Sequence, residues 1–413
     1  MRCFSLALVV LLLPLAGCEE EGVLRPGAND HETLQQALLA AQPGDVIQLG
    51  EGTFRLQRGL SLTVSRVTLR GRGPQATVLS FRGQTEGSQG LLVKADEFLL
   101  EDLGVEDTAG DAVKVEGGKG VTFRRVRVEW TRGPSPDNGA YGLYPVQCER
   151  VLIEDCAVSG ASDAGIYVGQ SDTIIVRRNR AERNVAGIEI ENSKNADVHD
   201  NILTGNTGGI LVFDLPGLQV KGGRHVRVYN NQVHDNNEDN FAPPGNIVGQ
   251  VPRGTGMFVM ANDHVEVFGN TLRNNRTVSL AVISYLVTGL PIEDPAYDPY
   301  PESIYIHDNT FEGGGDSPDP TRQLSLAIGI YLRPIPDVIY DGLVDPKKLR
   351  EGRLPDELRL CIRNNRRIGG TFGFANIDAA NLPSGMPRIS RDLGPHDCAH
   401  PPLSAVSIPG VGP

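Results

Sequence analysis

Short runs in which apolar and polar positions alternate recur along most of the chain. In the repeated unit, two apolar residues flank a residue of any type, and two more residues lead to Asn. A short turn follows, and then Gly, an apolar residue, any residue and a second apolar residue. The Asn copies stand at Asn179, Asn201, Asn231, Asn270, Asn309 and Asn365, with Cys156 at the same place in an earlier copy. The shortest spacings, 22 and 23 residues, define the unit, and the longer ones indicate inserted loops.

This period predicts a coil of short parallel strands, because helical repeats need roughly 33 to 47 residues. The fold class is all-β, a right-handed single-stranded parallel β-helix over residues 30–370. The repeated Asn is expected to stack as an internal amide ladder, since Asn tolerates left-handed backbone. Side chains two apart should fill the interior. The predicted inward pairs are Ile166 and Val168, Ile188 and Ile190, Ile210 and Val212, Met257 and Val259, and Ile330 and Leu332.

The two ends of the predicted coil have different patterns. Asp30 is expected to cap a short helix, because Leu34, Ala37, Leu38 and Ala41 fall at i, i+3, i+4 and i+7. Residues 18–29 are assigned to a tether, and residues 371–413 to an irregular C-terminal tail.

The first residues resemble a bacterial lipoprotein signal. Arg2 precedes an apolar run from Phe4 to Leu15, and Leu15-Ala16-Gly17-Cys18 resembles a lipobox. The run is too short to span a bilayer. The resemblance implies removal of residues 1–17 and lipidation of Cys18. We therefore expect a lipid-anchored envelope protein, at the outer membrane or the periplasmic face of the inner membrane.

The net charge limits the kinds of partner that the protein can bind, and the cysteines are compatible with export to an oxidising compartment. The net charge is −12 and no cluster of Lys and Arg is visible, which argues against a nucleic-acid partner. In an exported protein, Cys361 and Cys398 can form a disulfide. Cys156 is expected to be a buried free thiol. We expect a monomer.

The side chains between the inward ones should form one outer surface along the stack. Aromatic rings stack on sugar faces and carboxylates accept hydrogen bonds from hydroxyls, so a polysaccharide is a predicted ligand. Alternatively, loops cover this surface and its apolar members form a second core. That alternative is favoured for Leu211, Phe213, Phe258 and Met260, and both stay open for Tyr144, Tyr167, Glu189 and Glu191. The candidate ligand-binding residues are Tyr141, Tyr144, Tyr167, Asp214, Tyr331 and Arg333.

Inserted segments are predicted at residues 232–264, 274–303 and 310–357, where they could flank this surface. The first contains Asp235, Glu238 and Asp239, whose oxygens could hold Ca²⁺ or simply form a solvated turn. No other cofactor is expected. Arg124, Glu154 and Arg177 occupy equivalent positions on successive coils and are predicted to form a charge ladder on a solvated face.

The repeats resemble the NosD-like parallel β-helix proteins that bind or hydrolyse carbohydrates, over roughly residues 40–370. The segment from Tyr141 is also similar to the Tyr-Gly-x-Asp-Pro-His site of mannuronan C5-epimerases. Tyr141, Gly142 and Pro145 match, but Tyr144 and Val146 stand where that site has Asp and His. Abstraction of a C5 proton needs a positioned base and acid, so this difference argues against epimerase activity.

Three functional hypotheses follow. The first is an envelope β-helix that binds a polysaccharide or a partner protein, and it is favoured because known catalytic strings of polygalacturonases and pectate lyases are missing. The second is a polysaccharide hydrolase or lyase. Its catalytic pair would be Glu189 and Glu191, about 7 Å apart on one strand face and thus within the range for inversion. The third is an accessory role like that of NosD in the maturation of a copper enzyme.

Overall fold

The computed structural model describes residues 22–380 and 388–412, and these residues form a parallel β-helix with three faces. Each coil passes through face 1, face 2 and face 3 in that order, and each strand pairs in parallel with its counterpart on the next coil. The predicted fold class is confirmed. The signal peptide and Cys18 lie outside the described residues, and the described part of the predicted tether contains the strand Val23–Leu24, which pairs with Val46–Leu49.

The strands differ in length between the faces. Face 1 consists of Val23–Leu24, Val46–Leu49, Thr68–Arg70, Glu149–Glu154, Asp172–Arg177, Lys194–His199, Arg224–Tyr229, Asp263–Phe268, Ile304–His307 and Cys361–Arg363. Face 2 consists of Gly52–Arg55, Thr77–Ser80, Ala157–Ser159, Arg180–Glu182, Ile202–Thr204, Gln232–His234, Thr271–Arg273, Thr310–Glu312 and Arg366–Ile368. Leu99–Glu106 and Lys119–Glu129 run through both faces. Face 3 consists of Arg58–Leu62, Glu86–Val93, Asp111–Glu116, Tyr141–Val146, Ala164–Gly169, Ala186–Glu191, Gly208–Phe213, Thr255–Met260, Val278–Ile283, Val338–Tyr340 and Phe374–Asn376.

Helices are few in the described part of the chain. The α-helices are α1 (Asp30–Ala40) and α2 (Gln323–Tyr331). Short 3-10 helices cover Ile247–Gln250, Tyr285–Thr288, Pro346–Lys348, Asp356–Leu358 and Gly394–His396. None of the helices in residues 22–380 and 388–412 is long and apolar enough to cross a membrane.

The interior is filled by the alternate side chains that the sequence pattern indicated. Ile166, Ile188 and Ile190 are fully buried in one continuous core that runs the length of the solenoid. Helix α1 closes its first end with Leu34 and Leu38. Asp30 is not the cap residue, because Asn29 precedes the helix and the Asp30 carboxylate instead accepts from the backbone N–H groups of Gly27 and Arg55.

The predicted asparagine ladder is present at the corner between face 1 and face 2. The amide oxygen of Asn201 accepts from the backbone N–H of Asn179 at 2.9 Å, and the Asn201 amide group donates to Val176 and Asn231. Cys156 precedes the Asn members as a buried free thiol, as predicted. These bonds satisfy backbone groups that the corner leaves outside the strand ladder.

A second ladder, which the sequence analysis did not identify, lies at the corner between faces 2 and 3. Its members are Asn184, Asn206, Asn236 and Asn275, each five residues after a member of the first ladder. Beside this ladder, Gly187 is the second residue of the face 3 strand Ala186–Glu191. A Cβ atom on Gly187 would lie 2.7 Å from the carbonyl oxygen of Gly209 on the next coil. The repeated Gly is thus required by close contact between coils.

One predicted strand is wrong, and each of the three predicted insertions contains a face 3 strand. Ile330, Tyr331 and Leu332 lie at the end of α2, and Ile330 is 69% exposed. Four alternating residues at the end of an apolar run do not distinguish a strand from a helix. The strand of that coil is Val338–Tyr340, which lies within the predicted insertion 310–357. The predicted insertions 232–264 and 274–303 likewise contain the core strands Thr255–Met260 and Val278–Ile283.

The C-terminal segment lies against face 1. The predicted disulfide between Cys361 and Cys398 is present and attaches the segment to the last face 1 strand. Farther on, Ile408 packs on Leu152 and Ile175. The ladder of Arg124, Glu154 and Arg177 is formed, but Glu154 and Arg177 are buried, and Arg177 donates to the carbonyl of Gly412. The prediction of a solvated face was therefore wrong for these two residues.

Candidate functional site

The outer surface of face 3 carries the predicted candidate residues on its middle coils. Ile188 and Ile190 point into the core, so Glu189 and Glu191 point away from it, as the period of two requires. In the parallel register Tyr167 pairs with Glu189, and Gly169 pairs with Glu191. Tyr144 lies on the strand before Tyr167, so the tyrosines and the glutamates occupy adjacent positions along the stack.

Three tyrosine rings form a compact cluster at this place. The ring centroids of Tyr141 and Tyr167 are 4.5 Å apart, and those of Tyr144 and Tyr167 are 4.9 Å apart in an edge-to-face contact. The Lys114 ammonium lies 4.9 Å from the centroid of the Tyr144 ring, close enough for a cation–π contact. Tyr141 and Tyr144 are only half-buried, so the cluster reaches the surface.

Four carboxyl groups adjoin the rings: Asp111, Asp163, Glu189 and Glu191. We call these four groups together with Tyr141, Tyr144 and Tyr167 the tyrosine–carboxyl site. The Tyr141 hydroxyl lies 3.3 Å from the carboxyl group of Asp163, and the Tyr167 hydroxyl hydrogen-bonds Glu191. Gly169 permits this second contact, because a Cβ atom there would lie 2.4 Å from the Tyr167 ring.

Burial raises the pKa of all four carboxyl groups. It raises the pKa of Glu191 to about 7, against the opposing effect of the Tyr167 hydrogen bond. Burial also raises the pKa of Asp163 to about 7 and that of Asp111 to about 6. Glu189 is fully buried and one of its oxygens has no hydrogen-bond partner, so its pKa is raised well above the usual range. Several perturbed carboxyl groups at one place mark a candidate functional site.

The tyrosine hydroxyls are perturbed as well. Burial, with carboxylates nearby, raises the pKa of Tyr141 and Tyr167 far above the ordinary range and that of Tyr144 to about 12. These phenols therefore stay protonated near neutral pH and can donate hydrogen bonds to a ligand or to the carboxyl groups.

The following coils of face 3 present an apolar outer surface that is covered. Leu211 and Phe213 are buried and Phe258 is partly buried, which confirms the predicted second core. Residues 241–252, 284–300 and 321–335, here called the covering loops, pack on it. Tyr297 donates its hydroxyl hydrogen to the carbonyl of Asp214 at 2.7 Å, and the Asn246 amide reaches the Asp163 carboxyl group at 3.4 Å.

Of the other predicted binding residues, Asp214 lies near enough to Glu191 for its charge to raise the pKa of that residue, whereas Tyr331 and Arg333 do not belong to the tyrosine–carboxyl site. Asp214 is buried, and its carboxyl group accepts from Gly223 and Asn262. Burial raises the pKa of Asp214 to about 6. Tyr331 ends α2, and Arg333 donates to the carbonyl of Gly329 after that helix. These two side chains lie on a covering loop and not on a face 3 strand.

Two of the three predicted calcium ligands, Asp235 and Asp239, contact other side chains. Asp239 forms an ion pair with Arg253 at 2.5 Å, and the Asp235 carboxyl group contacts His234 at 2.8 Å. The backbone of Glu238 bonds Asn206 across the second asparagine ladder. Within residues 22–380 and 388–412, no group of three or more His, Cys, Asp or Glu side chains is arranged to hold a metal ion. The geometry gives the calcium prediction no support.

Sequence analysis did not select two members of the site, Asp111 and Asp163. Asp163 stands directly before a face 3 strand, at a place where the next two coils have Val185 and Thr207. An acidic residue in an otherwise uncharged column was therefore the available signal. Asp111 aligns with Tyr141 on the neighbouring coil and has no comparable signal in the sequence.

The comparisons with known proteins agree with this architecture. The sequence matches the family described as right handed beta helix region over residues 63–215 and 112–287, which together span more than half of the chain. The chain belongs to this right-handed β-helix family. No curated protein matches the sequence.

Solved structures of several enzymes are similar to this chain. The A-module of the mannuronan C-5 epimerase AlgE4 from Azotobacter vinelandii is 17% identical, with a TM-score of 0.55, over 85% of this chain and 93% of that one. The A-module of AlgE6 from the same organism is 17% identical, with a TM-score of 0.49, over 81% and 89%. Endopolygalacturonase I from Stereum purpureum is 13% identical, with a TM-score of 0.42, over 71% and 89%. At these identities the likeness concerns the fold alone.

Proposed function

We propose that this β-helix binds a polysaccharide chain at the tyrosine–carboxyl site. The observation that supports this most is the cluster of three mutually contacting tyrosine rings beside four carboxyl groups, where Tyr141 and Tyr144 are half-buried and Tyr167 is buried behind them. Aromatic rings stack on the apolar faces of sugars, and carboxyl groups hydrogen-bond sugar hydroxyls. The fold is one that polysaccharide-acting enzymes share.

The charge of the site favours a neutral glycan over a polyanionic one. Asp111, Asp163, Glu189 and Glu191 stand together, whereas Lys114 is the cation in contact with the tyrosine cluster. An acidic chain would bring further negative charge next to groups that burial already makes difficult to ionise.

The test is titration of the protein with fluorescently labelled neutral and acidic polysaccharides. Neutral chains should bind, and Tyr144→Ala should weaken binding about fivefold, because loss of one ring contact is worth roughly 1 kcal/mol. Tyr305→Ala, at a half-exposed tyrosine on face 1, is the matched control and should leave affinity unchanged. Absence of binding to every chain, or equal effects of the two variants, would contradict the proposal.

A second candidate function is hydrolysis of the bound chain. The specific observation is that the pKa of both Asp163 and Glu191 is raised to about 7, so each is partly protonated at neutral pH. A general acid and a general base of this kind are what glycoside hydrolysis requires. In this version one of the two groups donates a proton to the leaving glycosidic oxygen and the other accepts a proton from the attacking water, so the activity depends on Glu191.

An assay of reducing-end release separates hydrolysis from binding alone, and absorbance of unsaturated uronates would detect a lyase. Glu191→Gln should abolish any rate while leaving polysaccharide affinity within about threefold, because glutamine still hydrogen-bonds Tyr167. A rate that persists in Glu191→Gln would exclude this residue from the chemistry. Binding without product in all assays would leave the binding function alone.

We also propose that the protein is attached to the bacterial envelope through a lipid on Cys18. The support is the signal-like start of the chain, with its apolar run before Cys18. Metabolic labelling with a radioactive fatty acid should mark the parent protein and not Cys18→Ser. Equal labelling of both would contradict lipidation at this residue.

A further inference from the structure

The covering loops and the later coils of face 3 enclose an apolar cavity of about 900 Å³. Its floor is the outer surface of face 3, with Phe258, Ala281 and Ile339, and its walls include Val251, Val287 and Leu324. Pockets that hold small ligands commonly have volumes of about 300–1,000 Å³. The cavity is therefore large enough for a ligand. No residue of the tyrosine–carboxyl site lines it, although Asn246 of the lining reaches the Asp163 carboxyl group of that site.

The polar groups around the cavity are largely engaged within the protein. The Asp341 carboxyl group accepts from the backbone of Ser284 and Leu343, and the Thr255 hydroxyl donates to Pro252. Such a lining offers little to a sugar. Arg322 is the cation of the lining, with Nε donating to the carbonyl of Gly249 and one terminal nitrogen to Thr321. Among the described residues, no carboxylate forms an ion pair with it.

The segments around the cavity also expose apolar side chains to solvent. Five of the nine large apolar residues that are exposed in the described chain belong to the covering loops and α2: Leu286, Leu290, Leu326, Ile330 and Tyr331. Helix α2 has no charged residue. An apolar surface grouped in this way marks a place where an apolar partner binds, whereas scattered single residues would not.

We propose that this cavity binds the aliphatic chain of an anionic amphiphile, with the chain along Phe258 and Ala281 and the anionic head near Arg322. The apolar floor and walls match a hydrocarbon chain, and the Arg322 guanidinium matches a carboxylate or phosphate. The exposed apolar residues of α2 and of the loop after Val278–Ile283 form the surface through which the chain enters. This proposal is independent of polysaccharide binding.

The first experiment titrates the full chain carrying Cys18→Ser, which excludes a lipid on that residue, with dansyl-undecanoic acid. Saturable fluorescence enhancement at one site, displaced by palmitate, is expected. In a series from octanoate to palmitate the affinity should rise by up to about fourfold for each added methylene until the cavity is full. No saturable enhancement, or affinity independent of chain length, would overturn the proposal.

Two variants in the same background locate the binding. Ala281→Trp fills the cavity floor and should weaken dansyl-undecanoic acid binding at least tenfold. Leu326→Ser removes an exposed apolar residue of α2 and should weaken binding about threefold, whereas Leu39→Ser, the same change on exposed Leu39 of α1, should not. If Ala281→Trp does not melt cooperatively, the location of the binding site is decided by comparing the affinities of Leu326→Ser and Leu39→Ser for dansyl-undecanoic acid. Equal affinities for those two proteins would overturn the assignment to this cavity.

Further measurements identify the head group and the source of the chain. Arg322→Gln should weaken binding of dansyl-undecanoic acid but not of its uncharged amide, and equal weakening would overturn the role of Arg322. Sedimentation with phosphatidylglycerol vesicles distinguishes two sources of the chain. If the parent protein sediments with the vesicles and Leu326→Ser does not, the ligand is a membrane lipid. If palmitate binds but the protein does not sediment with the vesicles, the ligand is a free fatty acid. Self-association that Leu326→Ser abolishes, together with no probe binding, would assign the surface to a second copy and overturn the proposal.

Discussion

The outer surface of face 3 has two halves whose strands follow the same backbone path but whose outward side chains and degree of coverage differ. Around Tyr144 and Tyr167 the outer side chains are aromatic and acidic, and part of the surface reaches solvent. From Leu211 onward they are apolar and covered by loops. The inward residues are aliphatic in both halves, because every coil must fill the same interior. The comparison teaches that the solenoid restricts only the inward positions, so the outward ones can form unrelated sites.

Coil length explains why one half is covered. Asn179 and Asn201 are 22 residues apart, whereas Asn231 and Asn270 are 39 apart, and Asn309 and Asn365 are 56 apart. The short coils have no residues left over after their three strands. The long coils contain the covering loops, which pack back onto face 3. Insertions in the later coils thus convert an exposed sheet surface into a second core with a cavity.

The largest expected effect is a difference in the loss of unfolding free energy between substitutions in the two halves of face 3. Phe213→Ala, in the covered half, should lower the free energy of unfolding by roughly 3–5 kcal/mol, because a buried ring leaves a cavity. Tyr144→Ala, at the half-exposed end, should cost much less and act on polysaccharide binding. Urea unfolding followed by circular dichroism gives both values. Similar losses in the two variants would contradict the distinction between a packed half and a binding half.

The next effect uses the pH dependence of the carboxyl half. Since the pKa of Glu191 is raised to about 7 in the folded protein, its stabilising contribution is complete below the ordinary pKa of 4.5 and is lost as pH rises through 7. Ionisation of this buried group should then cost roughly 3 kcal/mol of unfolding free energy. Glu191→Gln should remove that part of the pH dependence and be relatively more stable at pH 8 than at pH 4.5.

The control for this prediction is Ile190→Val, the neighbour that points into the core. It should lower the free energy of unfolding by about 1 kcal/mol at both pH values, since no titrating group is changed. If Glu191→Gln has the same pH dependence as the parent, Glu191 does not titrate as a buried carboxyl group.

A smaller effect tests the placement of the Tyr167 ring. Gly169→Ala places a Cβ atom 2.4 Å from that ring, which must move away from Glu191. We expect a loss of roughly 1–3 kcal/mol in the free energy of unfolding and weaker polysaccharide binding. Gly83→Ala is the matched control, because no atom lies within 4 Å of its added Cβ and it should be nearly neutral. Equal behaviour of the two variants would show that the ring is not confined.

The smallest effect concerns the outer side of α2. Leu326 is 45% exposed, so Leu326→Ser should change the free energy of unfolding by only about 0.5 kcal/mol. Thermal melting beside the parent is sufficient to measure it. A loss as large as that of Phe213→Ala would show that α2 belongs to the packed core and is not an exposed apolar surface.

The amino-acid sequence by itself determined the solenoid, the inward residues and the first asparagine ladder. This is because each coil repeats the same local requirements: aliphatic residues two apart, Asn at a corner and Gly where the coils touch. The same alternation placed Tyr144, Tyr167, Glu189 and Glu191 on one outer surface. The disulfide was predictable as well, since few cysteines remained to pair.

Only the tertiary structure decided what covers that surface. The contacts of Tyr297 with Asp214 and of Asn246 with Asp163 join residues more than 80 positions apart, and no local pattern encodes them. Because such distant contacts are not encoded locally, the apolar pattern at Ile330 was interpreted as a strand although it belongs to α2. The burial of Arg177 by the C-terminal segment could not be predicted either. Local periodicity determines the direction of a side chain, but burial, and with it the pKa of Glu189 and Glu191, depends on loops that pack from distant coils.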